Sequence, residues 1–241
     1  MNEPAQAPSA PPAVLLRDVT FGYDAADEVL RVPHFEVAAG ERVFVFGPSG
    51  CGKTTLLGLL SGVLQARTGV VQVLGRDLRA MAAGECDAFR AARLGYVFQL
   101  FNLIPYLTVL ENIVLPCHAS AHRREKLHGR SAEEAATELA ASLGLGDLLD
   151  RRAADLSVGQ QQRAAAARAL IGGPGLLIAD EPTSSLDADA RDRFLDLLLA
   201  QSRRESCAVV FVSHDRSLAP RFDRTVSLPE INAVAAGQAP C

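Results

Sequence analysis

Lysine is almost missing from this chain. Its 241 residues hold two, Lys53 and Lys126, and arginine supplies the other 22 of the 24 basic side chains. Positive charge is scarce overall: the formal net charge is −4 and the pI about 5.8, without the basic footprint of a nucleic-acid binder. The five cysteines, Cys51, Cys86, Cys117, Cys207 and Cys241, form no C-x-x-C pair. That speaks against a disulfide framework or a zinc site and for a reducing compartment. No apolar run approaches the roughly 20 residues needed to cross a bilayer. The stretch from Met1 to Pro12 is rich in Ala and Pro and has no basic residue, so it reads as a short disordered tail and not as a signal peptide. These absences predict a cytoplasmic chain with no direct membrane insertion, whose membrane role would come from a partner. A hydrophobic content of 49% suffices for a sizeable core, in one large domain or one domain with an inserted lobe.

A chain that avoids lysine keeps one where a slim ammonium is needed and a guanidinium would not fit. Lys53 sits in Gly47-Pro48-Ser49-Gly50-Cys51-Gly52-Lys53-Thr54, the G-x-x-x-x-G-K-[ST] phosphate loop. The glycines let the backbone curl until successive N–H groups point at one anion. Lys53 then reaches the β- and γ-phosphates, and the Thr54 hydroxyl ligates Mg²⁺. The loop follows an apolar strand, Arg42 to Phe46, and precedes a helix from Thr55 to Leu60, the context that separates a site from a chance Gly-rich turn.

Further strands are expected at Val14 to Phe21, His34 to Val37, Gly69 to Gly75, Leu94 to Gln99, Leu176 to Ala179, Cys207 to Val212 and Val226 to Leu228. Between about Thr108 and Arg168 the pattern is helical. Strand–helix alternation on both sides of an all-helical stretch predicts an α/β core with an inserted helical lobe. Glu230 to Cys241 reads as a loosely held tail. His118, His122 and His128 decorate a helical face at spacings unsuited to a metal site.

Asp180 and Glu181 directly follow the apolar strand Leu176 to Ala179, which places both acids at the carboxyl edge of a sheet beside the phosphate loop. Asp180 suits a water-mediated contact to Mg²⁺ and Glu181 a general base acting on water, against the plainer reading of an acidic helix start. Ser157 and Gln160 form an S-x-x-Q capping box at the head of an Ala-rich helix. That end, with the Gly159 N–H, is also fit to grip an anion.

From about Val14 to Leu228 the chain resembles the ATP-binding cassette (ABC) ATPases. Lys53 and Thr54 match Walker A, Asp180 and Glu181 Walker B, and Leu156-Ser157-Val158-Gly159-Gln160 the LSGGQ signature. Gln99 matches the Q-loop, Ser185-Leu186-Asp187 the D-loop and His214 the switch histidine, and Tyr23 sits where the family stacks an aromatic on adenine. The resemblance implies a RecA-like P-loop core with an N-terminal antiparallel β subdomain and an α-helical subdomain at about 100–168, all within 13–229. It implies MgATP held by Tyr23 and by the loop from Gly47 to Thr55. It makes Thr54 and Gln99, with Asp180, the metal's residues, and has Glu181 activate the water that His214 orients. Ser157, Gly159, Gln160 and Asp187 would serve the nucleotide of a second copy in a head-to-tail dimer. Val158 departs from the family's usual glycine; in a first helical turn valine is allowed.

Phe98 to Pro105 and Leu107 to Ile113 are similar to the LolD/MacB-type branch, the ATPases of lipoprotein-releasing and macrolide- or peptide-exporting systems. That branch implies an integral membrane permease as partner and a place at the inner membrane's cytoplasmic face. An ATP-gated regulator acting through a membrane partner, as in cell division, is the alternative. Phe101, Leu103 and Tyr106 are either core or a patch that receives the permease. Cys51 is either a small filler or a thiol made reactive by the N–H groups and Lys53 around it.

Overall fold

The computed structural model describes residues 11–25 and 27–236. The tail expected over Met1 to Pro12 therefore lies almost wholly outside the described residues, as does the chain's last stretch. Two sheets organise the rest. β1 (Val14–Phe21) pairs antiparallel with β2 (Leu30–Val37) and with β4 (Thr68–Val73), and β5 (Arg76–Asp77) completes the order β2-β1-β4-β5. β3 (Arg42–Phe46), β6 (Leu94–Val97), β7 (Leu176–Asp180), β8 (Ala208–Val212) and β9 (Arg224–Ser227) make a parallel sheet in the order β6-β7-β8-β3-β9.

The near-continuous aliphatic runs of the parallel strands follow from burial on both faces. Side chains alternate between two cores. Phe44, Leu177, Ala179, Val209 and Phe211 face a core shared with the helical lobe. Val43, Val45, Leu176, Ile178, Val210 and Val212 face one shared with the antiparallel sheet. Each such Val, Leu, Ile or Phe side chain contributes about 1.5–3 kcal/mol by leaving water.

α1 (Lys53–Leu60) follows the phosphate loop, and α2 (Ala83–Arg93) leads into β6. The stretch expected to be helical is four helices: α3 (Val109–Ala119), α4 (Ala121–Glu125), α5 (Ala132–Ser142) and α6 (Val158–Leu170). Their starts are set by the side chains of Thr108, Ser120, Ser131 and Ser157, each accepting a backbone N–H of the first turn. α7 (Ala188–Arg204) joins β7 to β8. Neither α2 nor α7 has a counterpart in the sequence reading.

The C-terminal stretch corrects a second expectation. α8 (Leu228–Ile231) and α9 (Ala233–Ala236) are not loose as far as they are described. Asn232 is buried between them. Its Oδ1 accepts from the Arg31 N–H at 2.9 Å, and its Nδ2 donates to the Val29 carbonyl at 3.0 Å, which clips the segment to β2. Pro229 lies against Gly47, so the same segment backs the phosphate loop.

Candidate nucleotide site

Parallel strands place functional groups at their carboxyl ends, and here neighbouring strands deliver them side by side. β6 leads to Gln99, β7 ends on Asp180 with Glu181 next, β8 leads to His214, and β3 runs into the phosphate loop; these strands are adjacent in the sheet. Gln99, Asp180, Glu181 and His214 line one cavity of about 490 Å³ with Tyr23, Ser49, Gly50, Gly52, Lys53, Thr54 and Thr55. Residues separated by more than a hundred positions in sequence are thus gathered as expected. Val29 and Ser184 line it too and carry no motif that sequence reading could use.

The loop is built by backbone conformation. Gly52 has φ 99°, and a side chain there would meet Leu30 Cδ2 at 2.8 Å, so both handedness and space require glycine. Lys53 Nζ donates to the carbonyls of Gly47 at 2.8 Å and Pro48 at 2.9 Å, which holds its charge over the loop. Tyr23 is 64% exposed. It packs edge-on to Phe21, with centroids 5.1 Å apart, and its hydroxyl lies 3.1 Å from Thr55 Oγ1. The phenol ring is therefore a fixed platform at the cavity mouth.

Thr54 Oγ1 donates to Asp180 Oδ2 at 3.4 Å. Burial, and then the neighbouring Glu181 charge, push the Asp180 carboxyl above the usual carboxylate range. Two hard oxygen donors beside a crowded acidic pair are what a divalent cation such as Mg²⁺ requires, so the residues present fit that ion. Glu181 has φ 46°, a left-handed backbone that costs a non-glycine residue about 1–3 kcal/mol. Its N–H donates to the Val212 carbonyl at 3.0 Å, and its Oε2 lies 2.8 Å from His214 Nδ1. The strain and the histidine aim the carboxylate into the cavity.

Cys51 does not behave as an activated thiol. Its side chain turns away from the cavity onto the core under the antiparallel sheet, and its N–H donates within the loop, to the Pro48 carbonyl at 3.4 Å. Burial pushes the thiol up, and the opposing pull of Lys53 is smaller. Placement and thiol environment favour the filler reading over the reactive one. At neutral pH, iodoacetamide should modify Cys51 far more slowly than free cysteine, and ATP should change that rate little; a labelling rate equal to that of free cysteine, followed by mass spectrometry, would contradict it.

Ser157, Gly159, Gln160 and Asp187 do not line this cavity. Ser157 Oγ accepts from the Gln160 N–H at 3.4 Å while Gln160 Oε1 accepts from the Ser157 N–H at 2.9 Å, the expected capping box. Val158 is the first helical residue and exposed, with no left-handed backbone, so glycine is not needed there. Asp187 caps α7 through the Ala190 N–H at 2.8 Å.

A second, larger and mostly apolar groove of about 700 Å³ runs between core and lobe, lined among others by Val63, Leu64, Tyr96, Phe98, Leu115 and Pro116. Tyr23 and Thr54 border both this groove and the nucleotide cavity. Of the apolar residues expected either in the core or in a patch, Phe101 is 6% exposed and belongs to the core, Leu103 packs on it, and Tyr106 is 72% exposed. None of the three lines the groove.

The family profile described as ABC transporter matches residues 30–184. The chain belongs to the ABC transporter family. It is an ATP-binding, ATP-hydrolysing cassette of mixed α/β fold. It is 38% identical over 221 residues to the lipoprotein-releasing system ATP-binding protein LolD of Xanthomonas campestris pv. campestris (strain 8004), covering 90% of each chain. To the LolD of Anaeromyxobacter dehalogenans (strain 2CP-C) it is 41% identical over 236 residues, 95% of this chain and 96% of the other. Its fold matches a dimeric, post-hydrolysis state of the ATP-binding cassette MJ0796 bound to ADP and Pi, with a TM-score of 0.77, 32% identity, and coverage of 89% and 93%. Among the described residues of this cassette, no helix is long and apolar enough to cross a membrane.

Proposed function

We propose that this cassette drives an integral membrane permease of the LolD/MacB type, in export or lipoprotein extrusion, from the cytoplasmic face of the inner membrane, by closing head-to-tail on a second copy around two MgATP. One observation carries the reading: the phosphate loop, the acidic pair, Gln99 and His214 share a cavity, and the anion-gripping end of α6 lies outside it. A groups-complete, grip-incomplete site is finished by a symmetric partner, each copy lending its Ser157, Gly159, Gln160 and Asp187 to the other's nucleotide. Gly159 supports this. A side chain there would touch only Leu186 Cδ2, at 3.9 Å, so nothing within one copy demands glycine, whereas a phosphate brought by the second copy would.

In the hydrolytic step the water oxygen attacks the γ-phosphorus, its proton passes to Glu181, and the bond from that phosphorus to the β,γ-bridging oxygen breaks. His214 keeps the carboxylate turned toward the water. Lys53 and the loop N–H groups hold the phosphates as charge shifts. Mg²⁺, held by Thr54, Gln99 and Asp180, would offset the negative charge of the phosphates.

The apolar groove offers the permease its seat, since a cassette with no membrane-crossing helix among its described residues needs a docking face to do work on a membrane protein. Val63, exposed in that groove, tests it. With the permease reconstituted in vesicles, Val63→Asp should abolish the permease-dependent rise in ATPase activity and leave the activity of the isolated cassette unchanged. Full permease stimulation of the variant would place the contact elsewhere.

A further inference from the structure

Gln99 lies beyond the end of its strand. β6 stops at Val97, and the chain then turns with the Phe101 N–H on the Phe98 carbonyl at 3.0 Å and the Asn102 N–H on the Leu100 carbonyl at 2.6 Å. Phe101 has φ 58° and Asn102 φ 50°, two successive non-glycine residues in the left-handed region. Such a turn persists only where its surroundings over-determine it. One constraint is the burial of the Phe101 ring. The other comes from α6: Arg168 donates from Nη2 to the Phe101 carbonyl and from Nη1 to the Asn102 carbonyl, both at 2.7 Å. Among the described residues these are its side chain's only hydrogen bonds, and it has no carboxylate partner. Burial pushes its pKa below the usual guanidinium value, so holding it there is costly. A planar fork meets two adjacent carbonyls with a separate nitrogen for each, in a geometry fixed by the guanidinium plane.

The same helix grips the other hydrolytic loop. Gln162, fully buried, donates from Nε2 to the Pro182 carbonyl at 2.6 Å, one residue past Glu181. Its Oε1 is buried without a hydrogen-bond partner among the described residues, so the bond to Pro182 is the side chain's only one there.

We propose that Arg168 and Gln162 are positioning residues for ATP hydrolysis, Arg168 fixing the turn that presents Gln99 and Gln162 the turn that presents Glu181, so that α6 sets both loops together. The proposal rests on the reading of Gln99 as a metal residue and Glu181 as the base. It assigns a task to two side chains at the end and on the buried face of a helix whose other end, at Ser157, reaches a different nucleotide. A shift of α6 on closing would then be felt at both hydrolytic loops of its own copy.

The full chain carries the test, with Arg168→Met, Arg168→Lys, Gln162→Leu and Gln99→Ala compared by melting temperature, by turnover, and by the Mg²⁺ dependence of fluorescent ATP-analogue binding. Arg168→Met should melt cooperatively, bind the analogue at saturating Mg²⁺ as wild type does, and turn over at least about tenfold more slowly. It should also need several times more Mg²⁺ for half-maximal analogue binding, matching Gln99→Ala. Arg168→Lys, which keeps the charge and loses the planar fork, should fall between. Gln162→Leu should slow turnover with the Mg²⁺ requirement unmoved. Should Arg168→Met fail to fold, Arg168→Lys decides on the same readouts. A raised Mg²⁺ requirement in Gln99→Ala but not in the Arg168 variants overturns the proposal and leaves Gln99 its role. An unmoved requirement in Gln99→Ala removes that role and the Arg168 assignment with it. Wild-type turnover in Gln162→Leu overturns the Glu181 half.

Discussion

Glu181→Gln should lower ATP turnover by about 10²–10⁴-fold, the usual worth of a general base, while MgATP binding persists. Glutamine keeps the size of the side chain and a polar oxygen for the 2.8 Å contact with His214, but it cannot take the proton from water. Asp180 and the phosphate loop are untouched. In the proposed cycle hydrolysis reopens the dimer, so the variant should also accumulate as an ATP-bound dimer while wild type purified alone stays largely monomeric. Size-exclusion chromatography with and without MgATP separates the outcomes. A variant that remains monomeric at saturating ATP, or that hydrolyses at near wild-type rate, would overturn both the base and the sandwich.

Lys53→Ala should fail earlier. The ammonium sits over the loop on the Gly47 and Pro48 carbonyls, poised where β- and γ-phosphate charge arrives. Charge-assisted hydrogen bonds to a charged group contribute about 1.5–3 kcal/mol each, so losing one such contact weakens ATP binding at least about tenfold. No dimer should form at ATP concentrations that saturate wild type, and turnover should vanish with it. Folding should be spared, since Lys53 is partly exposed and its hydrogen bonds are to carbonyls of its own loop. Equilibrium binding of a fluorescent ATP analogue measures the effect; wild-type affinity in Lys53→Ala would remove the lysine from the phosphate site.

The pair divides the cycle at one point. The lysine variant stops before the copies meet, and the glutamine variant stops after.

Most of this site was legible because its chemistry is written in contiguous residues. A G-x-x-x-x-G-K-T run needs no partner from elsewhere in the chain to be recognised, and four buried aliphatics ending in Asp180-Glu181 already state a strand and its edge. What escaped was written in single residues. α2 buries only Cys86 and Phe89, too sparse a stripe to stand out. In α7, Phe194, Leu195, Leu198 and Leu199 keep a helical period, but charged neighbours on every side dilute it. Asn232 looks like any polar residue in a tail until β2 is folded beside it. Arg168 looks like a basic residue closing a helix, and its partners, the carbonyls of Phe101 and Asn102, have no sequence signature at all. The left-handed turn there is nearly as silent, since only Asn102 is of a type that readily adopts it and Phe101 is not. Phe101 was a core residue for a reason that periodicity could not supply: its backbone is turned inward by contacts more than sixty positions away.

Tyr23 and Thr54 belong to two spaces at once, one wall facing the nucleotide and the other the apolar groove. Whatever fills one space changes the wall of the other, and equilibrium makes that influence mutual: if nucleotide tightens the hold on a permease docked in the groove by some factor, the docked permease tightens the hold on nucleotide by the same factor. Couplings of this kind run to about 1–3 kcal/mol, or some 5–150-fold in affinity. An ATP affinity measured on the isolated cassette is then one corner of a thermodynamic square, and a permease docked in the groove as proposed would retune how readily its own motor is loaded.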